Sequence, residues 1–142
     1  MTVRVAGLVA IVAFVLTGCG GGEPSPQSVV RAWSEAVNSD DNEGAARLFA
    51  EGARVVQGAS VRRLETFDEA QEWNAALPCA GRILSLSERG DMVRATFLLG
   101  NRRQSRCDGP GARALALVQV RDGKIVLWHQ LEVPIEQEEE PA

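Results

Sequence analysis

The sequence predicts an α+β fold in which helices come first and an antiparallel meander of strands comes last. In the first half, apolar residues recur every three to four positions, the period of a helix face. After Pro78 the period changes toward two, which is typical of strands. The chain has 142 residues, of which 45% are hydrophobic and 24% charged, a balance that favours one globular domain.

The N-terminus has the pattern of an export signal. A short basic segment, residues 1–4, precedes an apolar run, residues 5–16, that is too short to span a bilayer core of roughly 30 Å. The tetrapeptide Leu-Thr-Gly-Cys that follows resembles a bacterial lipobox, in which the peptide is cut just before the cysteine and the cysteine is acylated. An uncleaved anchor, or a secretory signal with an incidental cysteine, is the alternative.

This pattern gives the N-terminal organisation and the location. We expect a lipoprotein signal peptide over 1–18, a lipid on Cys19 and a flexible Gly/Pro/Ser tether over 19–27. The protein would then be held on the extracytoplasmic face of the cell membrane. The formal net charge is -4, which gives no general electrostatic footprint for nucleic acid.

Spacing and capping residues predict three helices. The first, over 27–39, starts after Pro26 and has an inward face that includes Trp33. The second, over 43–50, follows a polar break and would carry Phe49 inward. The third begins at a capping box formed by Thr66 and Glu69 and runs to about residue 77, where Pro78 ends it.

Alternating apolar residues predict the strands. Two short ones, 53–57 and 61–64, lie between the second and third helices. Four longer ones form the meander, with tight turns at Gly90-Asp91 and Asp122-Gly123. Their predicted bounds are 82–88, 92–99, 113–121 and 124–133.

Two cysteines remain if Cys19 carries lipid. An even pair outside the cytoplasm favours a disulfide, and in a meander Cys79 and Cys107 fall at the same end of the sheet. Two free buried thiols are the alternative. Neither cysteine has metal-ligand spacing and the only histidine is His129, so we expect no metal site and no cofactor.

Two stretches resemble a known superfamily. Residues 29–58, VVRAWSEAVNSDDNEGAARLFAEGARVVQG, look like the opening of NTF2-like, or SnoaL-like, proteins, and residues 120–131, VRDGKIVLWHQL, look like their last hairpin. The resemblance covers about residues 28–131 and implies that 28–133 form a cone. In such a cone a strongly bent antiparallel sheet wraps three helices and leaves an apolar pocket. The acidic residues 134–142 are expected to be a disordered tail.

The resemblance also allows a test for isomerase chemistry. Steroid isomerases of this fold use a tyrosine, a proton-transferring carboxylate and a second acid. This chain has no tyrosine, Gln57 falls near the position of the carboxylate, and Ala116 or Leu117 falls near that of the acid. A neutral amide cannot accept the proton, so this chemistry is not expected.

The candidate ligand pocket combines inward helix faces with one strand. We expect one apolar chamber with His129 near its mouth, although the tryptophans could instead be ordinary core. Trp128 alternates with His129, so at most one of the two faces inward. The predicted lining is Trp33, Phe49, Trp73, Leu77, Phe97 and His129.

Three functions remain open at this stage. The favoured one is a lipid-anchored module that binds a small apolar ligand or an envelope partner without catalysis. The alternatives are a SnoaL-like enzyme that uses a pocket containing His129, and a structural module that forms homodimers through its exposed sheet face. An arginine cluster is either a solvated face or a contact for anionic lipid headgroups or an acidic partner. The cluster comprises Arg102, Arg103, Arg106 and Arg113.

Overall fold

The structure is a computed structural model that describes residues 22–133. The predicted signal peptide, the lipidation site Cys19, the first part of the tether and the acidic tail over 134–142 lie outside the described residues. No helix within residues 22–133 has the length and apolar content needed to cross a membrane.

Three helices pack against one six-stranded sheet, as the sequence predicts. The strand order is β2-β1-β6-β5-β4-β3, and neighbouring strands run antiparallel except β1 and β6, which are parallel. The α+β cone is therefore confirmed, with a mixed sheet. The elements are α1 (Pro26–Asn38), α2 (Asn42–Ala46), β1 (Phe49–Gln57), β2 (Ser60–Leu64), α3 (Phe67–Ala76), β3 (Cys79–Arg89), β4 (Met92–Asn101), β5 (Arg113–Arg121) and β6 (Lys124–Leu131).

Irregular pairing bends the sheet around the helices. The register shifts in β3 between Ile83 and Ser85, and again where β5 meets β6. A larger shift lies in β1, between Phe49 and Arg54, where Gly52 has a φ of 78°. Such bulges increase local twist and turn a strand, and only glycine adopts that φ without steric strain.

The first and third helices form as their end residues predict. Ser25 caps α1 by accepting from the Ser28 amide, and Pro26 occupies its first turn. In α3 the predicted capping box is confirmed, because the Thr66 hydroxyl accepts from the Glu69 amide at 3.2 Å and the Glu69 carboxylate accepts from the Thr66 amide at 3.3 Å.

The second helix is shorter than the sequence predicts. It ends at Ala46, and Phe49 lies on β1 rather than on a helix. The backbone amide of Ile125 donates to the carbonyl of Leu48 at 2.8 Å, and Phe49 pairs with Ile125 in the sheet. Pairing with β6 satisfies these backbone groups, so tertiary contact overrides the local helical pattern.

Five aromatic rings form a continuous chain through the core. In order they are Phe49, Trp73, Trp128, Trp33 and Phe97, with successive centroid separations of 5.6, 5.2, 5.8 and 6.0 Å. Most contacts are edge-on or tilted, which aromatic quadrupoles favour by about 0.5–1.5 kcal/mol per pair beyond burial. The rings therefore join α1 and α3 to three strands of the sheet.

The predicted disulfide is confirmed. Cys79 at the start of β3 is bonded to Cys107 in the loop that follows β4, with a Cα–Cα distance of 4.4 Å. Cys79 pairs with Asn101 at the end of β4, so both cysteines lie at the same end of the sheet. The bond ties the loop over 102–112 to that end.

Candidate functional site

A cavity of about 260 Å³ opens at the end of the sheet that carries the disulfide. Its lining includes Gln57 and Gln130 near the ends of β1 and β6, and Ala114 near the start of β5. The second half of α1 forms another side. Ligand pockets usually measure roughly 300–1,000 Å³, so this one suits a small ligand.

The cavity wall is mostly apolar. Three aromatic side chains, Trp33, Phe97 and Trp128, are joined by aliphatic ones that include Val37 and Leu99. All three rings are more than nine-tenths buried. The lining therefore offers ring surface to a guest. The polar lining residues are Ser34, Asn38, Gln57, Asp108 and Gln130.

The structure brings together part of the predicted pocket. Trp33, Leu77 and Phe97 line the cavity. Trp73 and Phe49 do not; they lie one and two rings behind Trp128 in the aromatic chain. They support the wall without touching the open volume.

His129 requires a correction. It does not line the cavity, whereas its neighbours Trp128 and Gln130 do. Side chains alternate along a strand, so the imidazole lies on the outer face of the sheet. There it is paired with Leu117 on β5 and Val56 on β1. The expectation that His129 sits near the pocket mouth therefore fails, because Trp128 takes the inward position.

Sequence reasoning missed two kinds of lining residue. Trp128 had a usable signal, since one residue of the pair with His129 had to face inward and the indole is the more apolar. Asp108 had none: it follows Cys107 in an irregular loop, and only the fold brings it to the cavity.

Two polar residues of α1 are committed to holding the helix on the sheet. The Ser34 hydroxyl donates to the Gly81 carbonyl at 2.8 Å, and the Asn38 amide donates to the same oxygen at 3.0 Å. The Asn38 side-chain oxygen accepts from the Gly81 amide at 2.8 Å. A Cβ at Gly81 would lie 3.2 Å from Phe97, so a larger residue there would need Phe97 to shift by a few tenths of an ångström.

The indole groups differ in hydrogen bonding. Trp33 Nε1 donates to Asn74 Oδ1 at 2.8 Å, and Trp73 Nε1 donates to Gln57 Oε1 at 3.3 Å. Trp128 Nε1 is buried and finds no acceptor within residues 22–133. An unsatisfied buried donor costs about 1–3 kcal/mol.

The buried side chain of Arg102 holds together the segments on one side of the cavity. Its side chain is 2% exposed and forms an ion pair with Asp40, Nε to Oδ1, at 2.7 Å. Nη1 donates to the carbonyls of Asn74 and Leu77 at 2.7 and 3.0 Å, and Nη2 donates to Asn42 Oδ1 at 2.6 Å. The guanidinium thus joins the α1–α2 break to the end of α3.

This placement corrects the interpretation of the arginine cluster. Arg102 is neither solvated nor available to lipid, whereas Arg103, Arg106 and Arg113 are exposed. The four arginines therefore do not form one surface.

Asp108 lies beside the disulfide at the cavity. Its Oδ1 is 3.3 Å from Cys79 Sγ. A disulfide sulfur carries no proton, so this is a contact and not a hydrogen bond. The sulfurs of Cys79 and Cys107 lie near the carboxylate, but metals bind thiolates, so this cluster is a poor metal site while the disulfide is intact.

The opposite end of the sheet has its own polar contacts. Asp91, in the β3–β4 turn, accepts from Gln119 at 2.9 Å and from Arg121 at 3.3 Å. These hydrogen bonds, that of Gln119 first, hold the pKa of the Asp91 carboxyl below its usual range. Asp91 is therefore a structural contact far from the cavity.

Comparison with known proteins establishes the fold. No protein-family model matches this chain, and no curated protein matches it. An NTF2-like protein of unknown function from Cytophaga hutchinsonii is similar in structure, with a TM-score of 0.65 and 14% identity over 80% of this chain and 95% of that one.

Two further solved structures are similar. One is a protein from Catenulispora acidiphila with a ketosteroid isomerase-like fold, in complex with trimethylamine (TM-score 0.61, 19% identity, 77% of this chain and 87% of that one). The other is a de novo designed protein with a curved β-sheet (TM-score 0.63, 15% identity, 77% and 85%). The fold is therefore NTF2-like, and a fold shared this widely does not define a function.

We predict that Arg102→Met lowers the free energy of unfolding by about 3–5 kcal/mol, because it leaves Asp40 buried without its partner. Urea unfolding followed by tryptophan fluorescence measures the change. Arg103→Met, which removes an exposed arginine from the same loop, serves as the control and should change stability by less than about 0.5 kcal/mol. Equal effects of the two substitutions would contradict a stabilising role for the buried contacts of Arg102.

Proposed function

We propose that this chain is a lipid-anchored, extracytoplasmic module that binds a small ligand with an apolar body, without covalent chemistry. The observation that carries the proposal is the preformed cavity walled by Trp33, Phe97 and Trp128.

The polar groups of the cavity favour binding over catalysis. Among residues 22–133, the only titratable side chain in the lining is that of Asp108. Gln57 occupies the end of β1 as a neutral amide already bonded to Trp73. General acid–base catalysis needs a titratable group within hydrogen-bond reach of the reacting atom, usually with a second group to orient it. His129, on which the enzyme alternative depended, faces away from the cavity.

The tether and the cavity lie at opposite ends of the domain. Pro24 lies against Gly123 in the β5–β6 turn, and the Gln27 amide donates to Glu88 Oε2 at 3.3 Å near the end of β3. The cavity instead opens where β1 and β6 end. The chain thus enters the domain at the end far from the cavity mouth.

This arrangement supports an aqueous source for the ligand. Ser25 lies six positions after Cys19, a length of chain that can span at most about 20 Å. A ten-residue strand such as β4 is about 33 Å long. A lipid on Cys19 would therefore hold the hairpin-turn end toward the membrane and leave the mouth facing away. The exposed arginines of the 102–112 loop lie at the mouth end, which argues against contact with headgroups of the same membrane.

We predict that a clickable fatty acid supplied to the producing bacteria labels the wild-type protein and not Cys19→Ser. The reason is that the lipobox cysteine is the acylated residue. The measurement is in-gel fluorescence after reduction and denaturation. Cys107→Ser is the matched control and should keep the label. Labelling of Cys19→Ser at the wild-type level would rule out the lipoprotein assignment.

We predict that protein purified from its own membrane retains a small molecule in native mass spectrometry. Ala114→Phe should abolish this extra mass, because the new ring fills part of the cavity. Ala75→Phe, on the exposed side of α3, adds the same ring elsewhere and should retain the ligand. Identical spectra for all three proteins would count against the cavity as the binding site.

The outer face of the sheet supports a second proposal, a homodimer. Four side chains form a row across neighbouring strands: Arg94 beside Leu117, Leu117 beside His129, and His129 beside Val56. All except Arg94 are half-buried in the isolated chain. A second copy would cover the row and would give His129 a structural rather than a chemical role.

Leu117→Glu is predicted to convert a dimer to a monomer, because it introduces a charge in the middle of this row. Size-exclusion chromatography with light scattering gives the mass. Val61→Glu is the control, since Val61 is 63% exposed on the edge strand β2. A wild-type protein that is monomeric at high micromolar concentration would exclude the proposal.

A further inference from the structure

The charge of the cavity lining has one sign. Asp108 is the sole charged side chain among the lining residues within 22–133, and it forms no ion pair with another described residue. The nearest buried cation is Arg102, which donates to the carbonyl of the lining residue Leu77. Its charge is balanced by Asp40 at 2.7 Å. The cavity therefore presents a carboxylate with no neighbouring lining cation to oppose it.

The surface arginines lie outside the cavity lining. Arg31, Arg82 and Arg103 line a separate, open groove on the surface. Ser34 and Asn38 line both the groove and the cavity, so these two residues lie between them. An anion bound in this groove would lie outside the cavity.

The aromatic wall favours a cation for a separate reason. Trp33 is tilted by 72° from Phe97 and by 53° from Trp128, so the three rings that line the cavity are not stacked in parallel. The faces of aromatic rings carry negative potential, and a cation within about 6 Å of a ring centroid is attracted to them, most strongly by tryptophan.

From the single carboxylate and the ring wall together, we propose that the cavity selects a small organic cation, an ammonium group with apolar substituents, over a neutral molecule of the same shape. This inference deepens the proposed ligand-binding function and rests on it.

The test compares two probes that differ in charge alone. Choline and 3,3-dimethylbutan-1-ol have the same branching and the same hydroxyl, but only choline carries a positive charge. Full-length protein in a maltoside detergent, which contains no choline, is titrated with each, and tryptophan emission reports binding because Trp33 and Trp128 line the cavity. Choline should bind about tenfold more tightly than its neutral analogue, through the rings and the carboxylate together.

A pair of variants assigns the preference to Asp108. Asp108→Asn keeps the size of an exposed side chain and removes its charge, so it should reduce the preference for choline to about threefold by weakening choline binding. Asp68→Asn makes the same charge change on α3, outside the lining, and should leave the preference intact.

The outcomes separate the two proposals. Equal binding of both probes would overturn the cation inference while leaving a ligand-binding cavity in place. Binding of neither probe would also overturn it, and the mass of any ligand retained from the membrane would then decide the proposed function independently. Vesicles distinguish the source of the cation. Displacement of bound choline by phosphatidylcholine vesicles, but not by phosphatidylglycerol vesicles, would identify a lipid headgroup. We expect neither kind of vesicle to displace it.

Discussion

The buried guanidinium of Arg102 is the constraint on which the cavity end of the molecule depends. Its partners Asp40 and Asn42 are 62 and 60 residues away along the chain, and its other acceptors are carbonyls of Asn74 and Leu77. Burying an ion pair loses several kcal/mol of solvation per charge, so it is tolerated only when its donors are satisfied. Here three nitrogens are bonded, and the geometry leaves little freedom to the segments they join.

The disulfide constrains the same loop by a covalent route. Cys107 follows Arg102 by five residues, and its bond to Cys79 fixes the loop to the start of β3. The Cys107 amide also donates to Asn101 Oδ1 at 2.9 Å. With both attachments in place, the rim that carries Asp108 is held before any ligand arrives. A preformed rim lowers the ordering entropy that a small ligand would otherwise have to offset.

The fold class was accessible from the sequence because it depends on local signals. Pro26, the Thr66–Glu69 capping box and the Asp122-Gly123 turn each specify a helix or strand boundary without help from distant residues. The disulfide followed from topology, since a meander brings its two ends together. The prediction failed at Phe49, where a helical pattern lost to pairing with Ile125 on a strand 76 positions later.

The site was less predictable because its members are set by tertiary contacts. Arg102 and Arg103 are adjacent and chemically identical, yet one is buried and the other exposed. Nothing in their local sequence distinguishes them. The ion pair with Asp40, 62 positions earlier in the chain, does. The directions of the β6 side chains are likewise set by tertiary pairing. The register shift opposite Gln119 and Val120 decides that Trp128 faces inward and His129 outward.

The aromatic chain explains why a cavity persists in a domain this small. Close-packed interiors normally contain few voids larger than a water molecule. Closing this one would require Trp33 and Trp73 to move, and each is held by a hydrogen bond from its indole, to Asn74 and to Gln57. Trp128 lies between those two rings at 5.8 and 5.2 Å and is wedged by them, although its own donor has no partner within residues 22–133. The wall is therefore held in place where it meets its neighbours, and the cavity stays open.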